Sequence, residues 1–196
     1  KEIKTIGVDA LIIQDLGVYR FIKEYFPGFE LHASTQMTVN NLLGAKDIEK
    51  LVFERIGVGR EVSVQEIKYI AKDTSLEIEA FIHGSLCVSV SGQCLMSSLI
   101  GQRSGNRGRC AQPCRKTYDI YNKEGKKISK IPDTFISARD LMTIESIGAM
   151  LSAGVYSLKI EGRMKKPDYV YAVVNEYRKA LEGIGFDQDK NTFLFC

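Results

Sequence analysis

The chain has 196 residues, of which 44% are hydrophobic and 26% charged, and a formal net charge of +3. That supplies one globular domain with a core of its own, so disulfide staples are not required. The near-balanced charge announces no nucleic-acid partner globally, no run approaches the ~18 apolar residues of a membrane span, and the first residues lack the charged-then-apolar pattern of a secretory signal. The expected compartment is the cytoplasm, where thiols stay reduced. The chain opens on Lys1 and not on Met, as a piece of a longer protein would.

From the N-terminus, short β-rich runs alternate with amphipathic stretches. Ala10 to Ile13 reads as a buried strand, followed by a helix through Phe21 and Ile22 that stops before Pro27 and Gly28. Leu31 to Ala33 is expected as a second strand leading into a helix around Val39 to Leu43, and Leu51 to Ile56 as a third. Ser63, with Glu66 three residues later, makes a capping box for a helix from Val64 to Lys72. Leu76 to Ile82 is the fourth expected strand, and it delivers the chain into a run of cysteines.

Beyond the cysteines, Thr117 to Tyr121 and Lys127 to Ile131 flank an Asn-Lys-Glu-Gly turn and predict a hairpin. The alternation then resumes with a helix over Ile144 to Ser152 closed by Gly154, a strand over Val155 to Ile160, and a long helix opened by Pro167 and running to about Leu181. Gly-Val-Asp-Ala-Leu-Ile-Ile at 7–13 and Gly-Val-Tyr-Ser-Leu-Lys-Ile at 154–160 read as copies of one unit. Strands alternating with helices imply parallel pairing through right-handed crossovers. Five such units are too few for a closed barrel of about 250 residues, so the fold class is α/β, either an open sheet or part of a barrel.

In both architectures the site lies at the C-terminal ends of the parallel strands. There the sequence offers Gln14 and Asp15; His32, Ser34 and Gln36; Arg60 and Glu61; Glu79 and His83; and Lys159, Glu161 and Arg163. His32, Gln36, Glu79, His83 and Glu161 are the catalytic candidates, while Lys159 and Arg163 would hold an anion.

Cys87, Cys94, Cys110 and Cys114 follow a Cys-x6-Cys-x15-Cys-x3-Cys spacing inside segment 84–118, which carries five basic residues and no Asp or Glu. Structural zinc sites use two tight knuckles, and only the second pair here fits. Four thiolates suit zinc or an iron–sulfur cluster, and spacing alone leaves both open. Inert buried thiols would sit in an apolar run, whereas Ser, Gly, Arg and Gln dominate this one. Arg103, Arg107, Arg109, Arg115 and Lys116 would contact phosphates or a carboxylate-bearing metabolite, or simply balance charge around a metal centre. Cys196 stands apart at the terminus.

The run from Glu79 through Cys87 and Cys94 to Ser97 resembles the signature of the collagenase-like peptidase family U32. Further matches lie at Gly105 to Arg115, Ser157 to Met164, Val8 to Asp15 and Leu31 to Gln36, so the resemblance spans Gly7 to about Leu181. It implies a partial TIM-like (β/α) barrel over residues 1–183, with a cysteine-rich metal-binding insertion after the fourth visible strand and an unassigned tail at 184–196. It also implies a 4Fe-4S cluster on Cys87, Cys94, Cys110 and Cys114, with zinc as the alternative metal. Some members carry a cysteine where this chain has Met142, and the fourth ligand is assigned to Cys114.

Despite the peptidase name, characterised relatives support hydroxylation of a tRNA wobble uridine or a ribosomal RNA cytidine, with prephenate as a required metabolite, and a paired branch serves oxygen-independent ubiquinone synthesis. The resemblance therefore implies an RNA-modifying enzyme with RNA, and in one branch a paired family member, as partner. Two other functions compete. A peptidase is the family's nominal activity, although the chain has no His-Glu-x-x-His, no Gly-x-Ser-x-Gly and just two histidines. A metal-stapled RNA-binding module without catalysis would want aromatic residues among the arginines, and only Tyr118 stands at that segment's edge.

Overall fold

A computed structural model of the chain describes residues 2–128, 131–185 and 192–195. Helix α1 (Glu2–Ile6) precedes strand β1 (Ala10–Ile13), and α2 (Leu16–Tyr25) leads to β2 (Glu30–Ala33). Helix α3 (Leu42–Lys50), β3 (Arg55–Gly57), α4 (Val64–Asp73) and β4 (Glu77–Ser85) follow. After β4 the chain leaves the sheet through α5 (Met96–Gly101) and returns at β5 (Asp140–Met142), then adds α6 (Ile147–Ser152), β6 (Val155–Ile160), α7 (Pro167–Gly183) and β7 (Thr192–Phe195). No helix among the described residues is long and apolar enough to cross a membrane.

The strands form one mixed sheet. β1, β2, β3, β4, β6 and β7 pair in parallel in that order, and β5 pairs antiparallel with β4. Among the described residues β1 and β7 are the two edges, so the sheet is open. Alternate strand residues point to one face and build the core there. Leu31, Ala33, Ile56, Ile78, Ile82, Leu158 and Ile160 join Ile22, Ala45, Ile48, Ile67, Met150, Tyr177 and Leu181 from the helices in a single apolar cluster.

Local chemistry explains the boundaries. Asp15 caps α2 by accepting from the Val18 N–H, and Asn41 caps α3 by accepting from the Gly44 N–H. The Ser63–Glu66 capping box is formed at α4. The two copies of the Gly-Val unit both precede a strand, and Gly7 and Gly154 share a left-handed backbone, with φ of +78° and +99°. A residue with a Cβ is strained in that conformation, which is why the unit begins with glycine.

Four expectations need correction. The helix expected around Val39 begins at Leu42, and Val39 is a buried residue ahead of it. The strand expected at Leu51 begins at Arg55, because Leu51 closes α3, Val52 turns at φ +58° and Phe53 is buried in the core. The helix expected from Ile144 starts as a single 3-10 turn and becomes α-helical at Ile147. The expected hairpin is reduced to one antiparallel bridge between Tyr121 and Lys127, flanked by the Asn122 N–H to Lys126 O and Ile128 N–H to Ile120 O bonds, and its residues 129–130 lie outside the described ones.

Candidate functional site

The pleat that sends Ile78, Ala80 and Ile82 into the core sends Glu79 and Phe81 to the opposite, inner face. Parallel register then aligns inner residues across strands. Ile12, His32, Arg55 and Glu77 pair in succession, and Glu79 pairs with both Gly57 and Ser157. The charges on this face are matched. Arg55 donates through Nε and Nη2 to a Glu77 carboxylate oxygen at 2.8 and 2.6 Å. Lys159 Nζ donates to Glu79 Oε1 at 2.6 Å, and the Ser157 hydroxyl donates to Oε2 at 3.2 Å. Glu79 and Lys159 are 3% and 5% exposed, so theirs is a buried ion pair.

Beyond that pair, at the C-terminal strand ends, the inner face opens into a cavity of about 360 Å³. Gln14, Ser34, Gln36, Phe81, Lys159 and Arg163 line it from the strand side, and Gly105 to Gly108 from the loop after α5. Lys159 is committed to Glu79, so Arg107 and Arg163 are the cations left to meet an anion there. Arg163 is oriented by its Nη1, which donates to the Gly108 carbonyl at 2.7 Å. Phe81 forms an apolar floor, with the Arg60 guanidinium stacked 3.8 Å from its ring centroid.

Cys87, Cys94, Cys110 and Cys114 line a second, smaller cavity with Val88, Val90, Met96 and Pro113. Gln36, Gly105 and Asn106 line both cavities and form the wall between them. All four thiols are free; Cys87 is exposed and the other three are partly buried. Burial pushes the Cys114 thiol up, against the opposing pull of the neighbouring Arg115. A third cavity is lined by Cys87, Cys110 and Cys114 together with Ser85, Arg115, Glu161 and Arg163. The Glu161 Oε2 atom is buried with no hydrogen-bond partner. Met142, on β5, pairs with His83 and is 65% exposed, and it is not among the residues that line the four-thiol cavity with Cys114. Cys196 lies outside the described residues.

Two expected site residues are placed elsewhere, and a third, Arg115, lines the cavity with Cys87, Cys110 and Cys114 but is engaged in holding the loop. His32 sits within β2, paired with Arg55, and its Nε2 lies 2.6 Å from Glu30 Oε1. It therefore lines a separate cavity with Asp9, Glu30 and Arg55 toward the N-terminal strand ends, while Ser34 and Gln36, beyond the end of β2, reach the mouth. His83 is displaced by a β-bulge. Phe81 pairs with Lys159 but His83 pairs with Ile160, so one extra residue on β4 turns His83 to the core side, against Tyr169 and Tyr177. Arg115 is a structural clamp: Nη2 donates to the Leu86 carbonyl at 3.0 Å and meets Asp140 Oδ1 at 3.0 Å, and Nη1 donates to Ser137 Oγ and the Ala138 carbonyl. Arg103, Arg107 and Arg109 remain exposed on one loop, with Arg103 Nε donating to the Arg109 carbonyl at 3.1 Å. Sequence reasoning missed Asn106 and Phe81. The Gly-Asn-Arg-Gly run signalled Asn106, whereas nothing distinguished Phe81 from a core residue.

The sequence pattern of peptidase family U32 matches residues 1–193. The chain belongs to peptidase family U32. A 23S rRNA 5-hydroxycytidine synthase of Escherichia coli (strain K12) is 40% identical over 91% of this chain and 27% of its own length. The tRNA hydroxylation protein P of the same organism is 30% identical over 99% of this chain and 53% of its own length. A protein named collagenase from Porphyromonas gingivalis is 34% identical over 89% of this chain and 44% of its own length. The chain thus spans between about a quarter and half of the length of these curated relatives.

Proposed function

We propose that this U32 chain is the cysteine-centred part of a protein that supports RNA hydroxylation, at a tRNA uridine or a 23S rRNA cytidine, with prephenate as co-substrate. The shared wall carries the reading. Because Gln36, Gly105 and Asn106 line both the four-thiol cavity and the arginine-lined cavity, a group held by the cysteines and an anion held at the strand ends would be neighbours across that one wall. Relatives named for hydroxylation of both RNA types support the substrate class.

Cys87, Cys94, Cys110 and Cys114 would hold a 4Fe-4S cluster, which supplies redox-active iron when bound. A single tetrahedral zinc draws four sulfurs to about 3.8 Å of one another, given Zn–S bonds of about 2.3 Å. The four thiols line one cavity, and the 4Fe-4S cluster is the group proposed for it, with a single zinc as the alternative. Arg107 and Arg163 would grip a carboxylate through their planar forks, and Arg103 and Arg109 would meet RNA phosphates from the same loop. Glu161, with its buried free oxygen beside three of the cysteines, is positioned to take up or return a proton. In a longer chain, further strands on the β1 edge would close a TIM-like barrel over the inner face. The peptidase alternative has weaker support, since neither His32 nor His83 lines a cavity with the cysteines.

The test is mass spectrometry of nucleosides from digested tRNA and ribosomal RNA in a deletion strain complemented with the full-length gene or its Arg163→Met variant. The expected result is a hydroxylated nucleoside lost on deletion, restored by the parent and not by the variant. Full restoration by the variant, or no nucleoside lost on deletion, would overturn the reading.

A further inference from the structure

The loop joining Cys87 to Cys94 has no helix or strand of its own, yet its fourth residue is among the most buried of the described residues, with Ser91 1% exposed. The ends of two strands hold it. Glu61, beyond β3, accepts from the Ser91 N–H at 3.1 Å through Oε1 and from the Ser91 hydroxyl at 2.9 Å through Oε2. The Arg60 N–H donates to the Ser91 hydroxyl oxygen at 3.1 Å. From beyond β2, the Thr38 hydroxyl donates to the Ser91 carbonyl at 2.8 Å and itself accepts from Gln93 Nε2 at 2.9 Å. The backbone is pressed close as well: at Gly92, φ +80°, a Cβ would lie 2.5 Å from the Gln36 carbonyl oxygen.

Every polar group of Ser91 is therefore matched, although a six-residue loop between two cysteines could be fixed by its ligands alone. We infer that Glu61, acting through Ser91, is a positioning residue of the cysteine centre: it sets the place of Cys94 relative to Cys110 and Cys114 before any metal group arrives. The inference rests on the cluster reading for its consequence and on the thiol geometry for its test. Outer groups that orient metal ligands change affinity by about 10–100-fold when removed, and the clamp acts at one remove by holding the ligand's loop.

The experiment compares the parent with Glu61→Gln, Glu61→Asp and Ser91→Ala. In metal-free, reduced protein, the alkylation rate of each cysteine by iodoacetamide is followed by mass spectrometry. In protein reconstituted anaerobically with iron and sulfide, iron release to a chelator and the electron paramagnetic resonance spectrum of the reduced state are followed. Glu61→Gln and Ser91→Ala should speed alkylation of Cys94 relative to Cys110 and Cys114, release iron about tenfold faster and alter the spectrum, with partial return in Glu61→Asp. Equal acceleration of the three thiols, or none, would overturn the inference, because a merely structural role loosens the whole domain together. If the parent takes up no cluster, the functional reading falls, and the alkylation pattern still decides the clamp.

Discussion

Lys159 and Arg163 stand four residues apart, line the same cavity and carry the same charge, but their surroundings give them different work. The Lys159 ammonium is buried against Glu79, and truncating one partner leaves the other charge uncompensated at a cost of about 3–5 kcal/mol. Lys159→Met should therefore lower the urea midpoint sharply, whereas the exposed Arg163→Met should stay within about 0.5 kcal/mol of the parent. His83 makes a pH prediction. Burial lowers its pKa from the ordinary 6.5, and the nearby Asp140 only partly opposes this. The folded state then binds fewer protons than the unfolded one, so this contribution is complete above about pH 6.5 and is lost as pH falls toward the depressed folded value. Urea midpoints of the parent should fall more between pH 7.5 and 5.5 than those of His83→Gln, and parallel curves would contradict that. The four cysteines were legible as a motif, but the Glu79–Lys159 pair, 80 residues apart, was not, because nothing in a chain read linearly marks which carboxylate meets which ammonium.

At the scale of elements, helices with caps and strands with clear alternation were legible, since those signals are local. The third strand was misread because an apolar run at Leu51 to Phe53 serves a helix end and the core instead of the sheet. The β4 bulge was invisible for another reason: register belongs to a pair of strands, and it alone decides that His83 faces Tyr177 and not the mouth. Two glycines separate close packing from mere helix propensity. Gly84 has φ +103°, and a Cβ there would fall on the Glu161 carbonyl oxygen, so Gly84→Ala should cost at least about 1–3 kcal/mol. Gly148 lies in α6, where the methyl of an alanine would meet nothing within 4 Å, and Gly148→Ala should gain up to about 1 kcal/mol. Thermal unfolding of the two variants should shift in opposite directions; a shared direction would contradict the packing at β4.

For the whole molecule, one arrangement organises the rest. A mostly parallel sheet turns matched charges and a cation-lined cavity toward its inner face, and the long excursion between β4 and β5 folds its four cysteines against that cavity's wall. The α/β class followed from alternation of strands and helices, whereas the order in which segment 86–139 meets the strand ends depended on contacts such as Ser91 with Glu61 that no local pattern announces. The central proposal is that those thiols would hold an iron–sulfur cluster beside an anion site. Anaerobic purification followed by an absorption spectrum and iron, sulfide and zinc analysis tests it most directly. The account predicts a brown protein with about four irons and four sulfides per chain that bleaches in air and is lost in Cys87→Ala, Cys94→Ala, Cys110→Ala and Cys114→Ala; a colourless protein with one zinc per chain would contradict it.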